Sequence, residues 1–506
     1  MFEKRRLHPI SALLSIISFI KSLIIPIIVF FFIGSGDDGM ILSYVKFISF
    51  GVGFIGVLVA GFLYWYSYTY RVEDGELRIE HGVFIKKKRY IPIEKIQTFD
   101  ISQGVLHRLF KLVKVRVETA GGGKEAEAEL TAITSMESRQ LERALMEQTA
   151  QQFEAPMEEE HTPSLDEEGK EKVLFNYKVS TKELLIAGST TGGIGVVLSA
   201  IIAFFSQFEE LIPYEIIVNR FEQYLNLGPL LVMITAMFAI FIAWVIAFIN
   251  TMLKYGNFTI EKYENELVII RGIIEKRKVT VPLGRIQAIR ISENIIRQPL
   301  GFATVFVEIA GASTDMESGM STMLFPIIKK KKLAKLINEI LVDYHIPISK
   351  TKIPKRSLIR YMLRSIYPVT IIVVPMVIFL RPWGYASILL FVVAMVFGYV
   401  KYRGAQWSLD EKQLFMQFRT IGKTTVLMQR KKIQACTMQQ SYFQKRKSLC
   451  TITSSIKSSA SGKHFNMIDM EFFEGRAIHE WYSNGGSNRS ENVNSEHLPN
   501  SILNRG

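Results

Sequence analysis

The side chains of this sequence most able to do chemistry are bases gathered in short runs. Lys86-Lys87-Lys88-Arg89, Lys276-Arg277-Lys278 and Lys329-Lys330-Lys331-Lys332, the last followed by Lys335, each concentrate positive charge. Such runs meet phosphate, and beside a bilayer each base adds about 1 kcal/mol of attraction to anionic headgroups. The plainer reading is a solvated turn that keeps its domain on the cytoplasmic side of a membrane. The third run opens a helical pattern, where positive charge opposes the helix dipole, so it is not there to stabilise that helix. Contact with anionic lipid or an acidic partner is the functional reading of all three. Nucleic acid would use the same charges. The aromatic residues that stack on bases are not interleaved with these runs, so no nucleic-acid partner is expected.

Other motifs fail on context. Gly51-x-Gly53-x-x-Gly56 has the spacing of a dinucleotide loop, yet it lies inside an apolar stretch with no strand before it. Close packing of small residues between membrane helices explains it, helped by Ala60 and Gly61. Gly422-Lys423-Thr424 is similar to the end of a phosphate loop, but Gln417 stands where the first glycine is required. The eight histidines show no metal-binding spacing, and two cysteines, Cys436 and Cys450, form no disulfide framework in 506 residues. Carboxylate pairs at Glu125 and Glu127, and at Asp315 and Glu317, fall in connections between strands, not in a shaped pocket. Neither catalysis, a cofactor nor a metal is expected.

The composition says where the bases act. Of 506 residues 48% are hydrophobic and 21% charged, and 61 Lys and Arg against 47 Asp and Glu leave a net charge of +14. The apolar residues gather in six stretches, paired as about 11–33 with 41–66, 183–206 with 229–252, and 366–380 with 384–400. Each approaches the length a helix needs to cross a bilayer, so the pairs read as hairpins. Arg381-Pro382-Trp383-Gly384 breaks the last pair at the far surface. Lys4, Arg5 and Arg6 before the first stretch also suit a signal peptide, but no small-residue cleavage site follows, so a retained anchor is expected. Lys178 and Lys182 precede the third stretch, and Lys350, Lys352, Lys355, Arg356, Arg360 and Arg364 lead into the fifth. The positive-inside rule then places both termini and the long polar segments in the cytoplasm, around six spans of the cell membrane. A transporter or exporter component is the competing class, with Lys21 in the first stretch and Ser189-Thr190-Thr191-Gly192-Gly193 in the third as its pathway residues.

The polar segments behind the hairpins repeat one another. The first two align without a gap: Leu77 on Leu267, Gly82 on Gly272, Pro92 on Pro282, Lys95-Ile96-Gln97 on Arg285-Ile286-Gln287, and Val117-Glu118 on Val307-Glu308. A third copy keeps Leu414 and Lys432-Ile433-Gln434 in register, but carries Arg419 and Ser458 where the others have glycine. Alternating apolar residues predict a small antiparallel sheet in each copy, with a hairpin turn at Asp74-Gly75. Each copy closes in a helical pattern: Leu141, Leu145 and Met146; Leu333, Leu336, Ile337 and Leu341; and about Phe472 to Tyr482. Gln97, Gln287 and Gln434 are expected to make structural hydrogen bonds.

On the Gly82-to-Phe84 turn, the Ile91-Pro92-Ile93-Glu94-Lys95-Ile96-Gln97 segment and the Val117-to-Gly121 segment, the chain resembles the bacterial pleckstrin-homology (PH) domain membrane proteins, in the YdbT-type form with three hairpin-plus-domain repeats. The resemblance implies membrane α-helical hairpins joined to α+β domains, each a PH-like split barrel capped by a C-terminal helix. It implies no established biochemical activity. A shorter relative with one hairpin and one such domain is the partner it suggests. The division expected is a hairpin at 1–67, PH-like domain 1 at 68–149, an acidic linker at 150–177, a hairpin at 178–255, PH-like domain 2 at 256–345, a hairpin at 346–402, a divergent PH-like domain 3 at 403–482 and a disordered tail at 483–506. The functional expectation is a non-enzymatic scaffold or binding module at the bilayer, meeting anionic headgroups, the shorter relative or its own copies as a homo-oligomer. A role in envelope stress or tolerance of membrane-active peptides would suit it.

Overall fold

The computed structural model describes residues 4–32, 40–119 apart from 84, 128–142, 173–190, 229–309, 321–379, 383–457 and 462–483, with 195, 197 and 199. Most of the acidic linker, the tail beyond Ser483, Leu145, Met146 and Ser458 lie outside these residues. By its contacts the chain divides into one unit of residues 1–346 with 421–427 and 457–462, and another of 347–420, 428–456 and 463–506.

In the first unit β1 (Arg5–Arg6) precedes the helix Ile10–Phe32, and the helix Met40–Ser67 leads into β2 (Thr69–Glu73), β3 (Glu76–His81) and β4 (Lys87–Pro92). These form one antiparallel sheet in the order β1-β2-β3-β4. The strand before the hairpin thus belongs to the domain after it, and Lys4 and Arg5 pair with Glu80 and Glu137 at 3.0 and 3.4 Å. Asp74 and Gly75 turn β2 into β3 with positive φ at both. Glycine recurs at 82 and 272 because φ is +113° and +100° there, and a Cβ would meet the carbonyls of Ile85 and Glu275 at 2.0 and 1.9 Å. Arg419, its counterpart in the third copy, has no positive φ, so that turn is built differently.

A second sheet holds β5 (Ile96–Gln103), β6 (Leu112–Thr119) and β7 (Ala128–Thr134), closed by a helix over residues 135–142. Alternation puts Leu77, Phe99, Val115, Val117 and Leu130 between the two sheets, all without solvent exposure. The next repeat starts the same way, with β8 (Phe175–Lys178) before its hairpin, then β9 (Thr259–Lys262), β10 (Glu266–Arg271) and β11 (Lys276–Pro282). Its second sheet is β12 (Ile286–Glu293), β13 (Phe302–Ile309) and β14 (Ser321–Lys329), closed by the helix Lys330–Ile340.

The sheets do not stay within their domains, as self-contained barrels would require. β5 of the first domain pairs with β11 of the second, giving one seven-stranded sheet, β7-β6-β5-β11-β10-β9-β8. Residues 423–427 border β12 on the equivalent side.

The second unit begins at β15 (Thr351–Lys352), which pairs with β16 (Gln406–Leu409), and β16 with β17 (Gln413–Arg419). β18 (Lys423–Gln429) starts with the residues assigned to the first unit. β19 (Ile433–Gln439), β20 (Leu449–Ile456) and β21 (Lys463–Glu471) form a three-stranded sheet, closed by the helix Phe472–Ser483.

Among the described residues four segments are long and apolar enough to cross a bilayer: Ile48–Ser67, Met233–Tyr255, Lys355–Phe379 and Gly384–Gly404. The helix Ile10–Phe32 runs over the expected first span, but few side chains of its far half are described. The expected span at 183–206 is seen as the helix Thr181–Ser189, beyond which lie mostly undescribed residues. Gly188 there lets Phe248 approach to 2.9 Å of where a Cβ would stand, closing the second hairpin. Arg381 and Pro382 fall outside the described residues; Trp383–Ile388 is a 3-10 turn.

Candidate functional site

The repeated Ile-Gln motif builds a corner. Proline fixes φ before a 3-10 turn at Ile93–Lys95, and one at Leu283–Arg285; in the third copy Gln429 precedes the turn Arg430–Lys432. A β-bulge follows each turn, between Ile96 and Thr98, Ile286 and Ala288, and Ile433 and Ala435, so the repeated glutamine is the extra residue. Gln287 donates to the Arg285 carbonyl at 3.0 Å, and the backbone carbonyl of the exposed Gln434 accepts from Tyr482 at 2.8 Å. The side chain of Gln97 lies outside the described part. Turn and bulge swing the chain from the first sheet of a domain to the second.

After that corner the outer edge of β5 faces β11. Lys276 pairs with Gln103, Arg277 with Ser102, Lys278 with Ile101, Val279 with Asp100 and Thr280 with Phe99. Side chains stitch the seam. Arg277 Nε donates to Asp100 Oδ2 at 2.8 Å, Lys278 Nζ to both Glu142 oxygens at 2.8 Å, and Thr280 Oγ1 to Glu142 Oε1 at 2.7 Å. Arg108 reaches the Ile273 carbonyl at 3.1 Å, and Arg285 that of Glu94 at 2.5 Å. Burial pushes the Arg285 guanidinium down from its usual pKa.

The basic runs therefore differ in setting. Arg277 and Lys278 are engaged at the seam, whereas Lys276 and Lys86 to Arg89 are exposed. Lys329, Lys331 and Lys332 are exposed, while Lys330 pairs with the buried Glu293 at 2.5 Å. His81, beside β4, is pushed down by burial and then by Arg89 and Lys87.

A second device ties each domain to its hairpin, and no residue type announces it. The last strand carries a bulge in every copy, opposite Val113 to Val115, Ala303 to Val305 and Cys450 to Ile452. The turn after β5, β12 or β19 sends one polar side chain to that bulge: His107 to the Thr131 carbonyl at 2.9 Å, Arg297 to the Pro326 carbonyl at 3.1 Å, and Gln444 to Asp469 Oδ1 at 2.8 Å. The hairpin arrives at the same place. His8 N donates to the Ala132 carbonyl at 3.0 Å; Arg297 also donates to Thr190 Oγ1 at 2.8 Å and the Ala187 carbonyl at 3.0 Å. In the third copy Ser357 Oγ and Tyr361 OH donate to the carbonyls of Asp469 and Ile468 at 2.6 and 2.8 Å. Arg360 and Arg364 reach the Asp469 carboxylate, wholly buried and at φ 57°, at 2.9 and 3.1 Å. Bases expected only as a cytoplasmic flank thus also lock the hairpin to its domain. His107, Arg297 and Gln444 occupy one repeat position, so their register, not their type, was the available signal.

The competing motifs find other uses. Lys21 is exposed on its helix, and Ser189 and Thr190 return their hydroxyls to the Ile186 carbonyl at 3.1 and 2.6 Å. Thr191 to Gly193 lie outside the described residues. Both thiols are buried, and burial pushes Cys450 up to about 12. Among the described residues no group of His, Cys, Asp and Glu is placed to hold a metal.

The chain matches the family described as bacterial PH domain three times, over residues 20–149, 200–342 and 366–485. It is also 41% identical over 491 residues to the UPF0699 transmembrane protein YdbT of Bacillus subtilis (strain 168), covering 96% of this chain and 99% of that relative.

Proposed function

The chain belongs to the bacterial PH domain family, and we propose that it acts as a non-enzymatic membrane scaffold or binding module whose PH-like domains face the cytoplasm. One observation carries this reading: the sheet shared by β5 and β11. Two domains joined by a strand pair of five residue partners and a nearly buried ion pair cannot reorient independently, so they present one rigid surface. Independent lipid sensors would have no need of such a seam. The bases before the first, third and fifth stretches support the cytoplasmic orientation, with six spans in all.

Anionic headgroups are proposed to meet the bases left exposed, Lys86 to Arg89, Lys276, Lys329, Lys331 and Lys332. A shorter relative with one hairpin and one domain is the proposed protein partner, in a pathway of envelope stress or tolerance of membrane-active peptides. The test is affinity purification of the intact protein from its own membranes in mild detergent, with bound proteins and lipids identified by mass spectrometry. A stoichiometric protein, lost when the cytoplasmic domains are altered, is the expected result. Recovery of the protein with only one enriched lipid or small solute would overturn the scaffold in favour of lipid sensing or transport.

A further inference from the structure

The seam between domains leaves two unmatched halves. β11 has β5 beside it, and residues 423–427 have β12. β4, the counterpart of β11 in the first repeat, is the last strand of its sheet among the described residues. β19, the counterpart of β5 and β12 in the third repeat, is likewise the last strand of its own. Among the described residues the chain thus displays once each the two edges that it elsewhere joins.

Exposure marks the difference. Lys87, Lys88, Arg89 and Tyr90 on β4 are all exposed, while their equivalents Arg277 and Lys278 are half-buried and Val279 and Thr280 buried. Gln434, Ala435 and Thr437 on β19 are exposed, while Gln287 and Ala288 are buried and Arg290 is half-buried. Lysines on an open strand often keep other chains away. Here they do not argue against pairing, because β11 is as basic over Lys276-Arg277-Lys278 and is paired. β19, Ile-Gln-Ala-Cys-Thr-Met-Gln, carries no charge to repel β4.

We propose that β4 of one copy pairs antiparallel with β19 of a second copy, continuing between molecules the sheet that joins domains within one. The register follows from the repeat. Lys276 opposite Gln103 predicts Lys423 opposite Glu293, and these two lie 3.6 Å apart. Carried to the free edges, it sets Lys86 opposite Gln440, Lys87 opposite Gln439 and Arg89 opposite Thr437. The contact is heterologous, so it generates a ring or an open array rather than a two-fold dimer. Main-chain hydrogen bonds supply the affinity, as in other strand additions. This deepens the scaffold reading, on which it rests, by naming a second copy as a partner.

The test uses two full-length chains with different tags, co-expressed in membranes, both with Cys436→Ala and Cys450→Ala. One carries Lys87→Cys and the other Gln439→Cys; both positions are exposed. Directly opposed residues lie within disulfide reach, so oxidation is expected to give at least about fivefold more covalent heterodimer than Lys87→Cys with Ala435→Cys, four residues out of register. Differently tagged chains without substitutions are expected to co-purify. Equal or absent cross-linking of the two pairs overturns the inference, as does failure of the unsubstituted chains to co-purify; the acidic linker lying along the main-chain edge of β4 would give that result. If a different protein is still recovered stoichiometrically, the scaffold reading survives while this inference fails.

Discussion

Arg277 and Asp100, 177 residues apart in the chain, meet across the seam with Nε 2.8 Å from Oδ2. The Asp100 side chain is 1% exposed and that of Arg277 15%. A nearly buried pair contributes little net stability against an apolar substitute, but removing one partner strands the other charge. Arg277→Ala is therefore expected to cost about 3 kcal/mol, and Arg277→Met combined with Asp100→Leu much less. Thermal unfolding of the purified protein in detergent checks both.

Asp469 collects Arg360, Arg364 and Gln444 on a wholly buried carboxylate. Asp469→Asn is expected to cost about 2 kcal/mol, because charge-assisted hydrogen bonds become neutral ones in a dry site. Arg364, with a side chain 47% exposed, should matter less than Arg360; Arg364→Ala is expected to cost below about 1 kcal/mol. Limited proteolysis of the third domain under denaturant would rank Asp469→Asn, Arg360→Ala and Arg364→Ala.

Glu474 accepts from Trp407 Nε1 at 3.1 Å, and burial pushes its carboxyl up to about 7. The folded form holds this proton more tightly than the unfolded chain, whose ordinary value is 4.5. This group's contribution is thus fully present below the unfolded value and is lost as pH rises through about 7. Glu474→Gln should stabilise the second unit at pH 8 relative to the parent, and the advantage should shrink toward pH 5. Melting temperatures across that range measure it.

Two glycines of the second domain predict opposite outcomes. Gly272 sits at φ +100° with a carbonyl 1.9 Å from the added Cβ, whereas Gly284 has nothing within 4 Å. Gly272→Ala should cost about 2 kcal/mol or more, and Gly284→Ala should stay within about 0.5 kcal/mol. Chemical denaturation of the two variants side by side separates them.

Much of the domain fold was legible because local signals and repetition agreed. Asp74-Gly75, the paired glycines 82 and 272, and alternation through Val113, Val115 and Val117 each mark an element the structure contains. What stayed hidden was long-range. Nothing local distinguishes a basic strand at an open edge, Lys87 to Arg89, from one stitched to another domain, Arg277 and Lys278. The charge run reads alike in both, because its partners Asp100 and Glu142 are remote in sequence. The bulge contacts were masked differently, since His107, Arg297 and Gln444 share a position but not a chemistry.

The most direct measurement is hydrogen exchange on the intact protein in detergent, resolved over 96–103 and 276–282. If the two domains share one sheet, the inter-strand amides of β5 and β11 should be protected about as strongly as those of the interior strand β6, and Arg277→Ala should weaken both strands together. Exchange of β5 and β11 at the rate of open edges, unaffected by that substitution, would contradict the shared seam and the scaffold built on it.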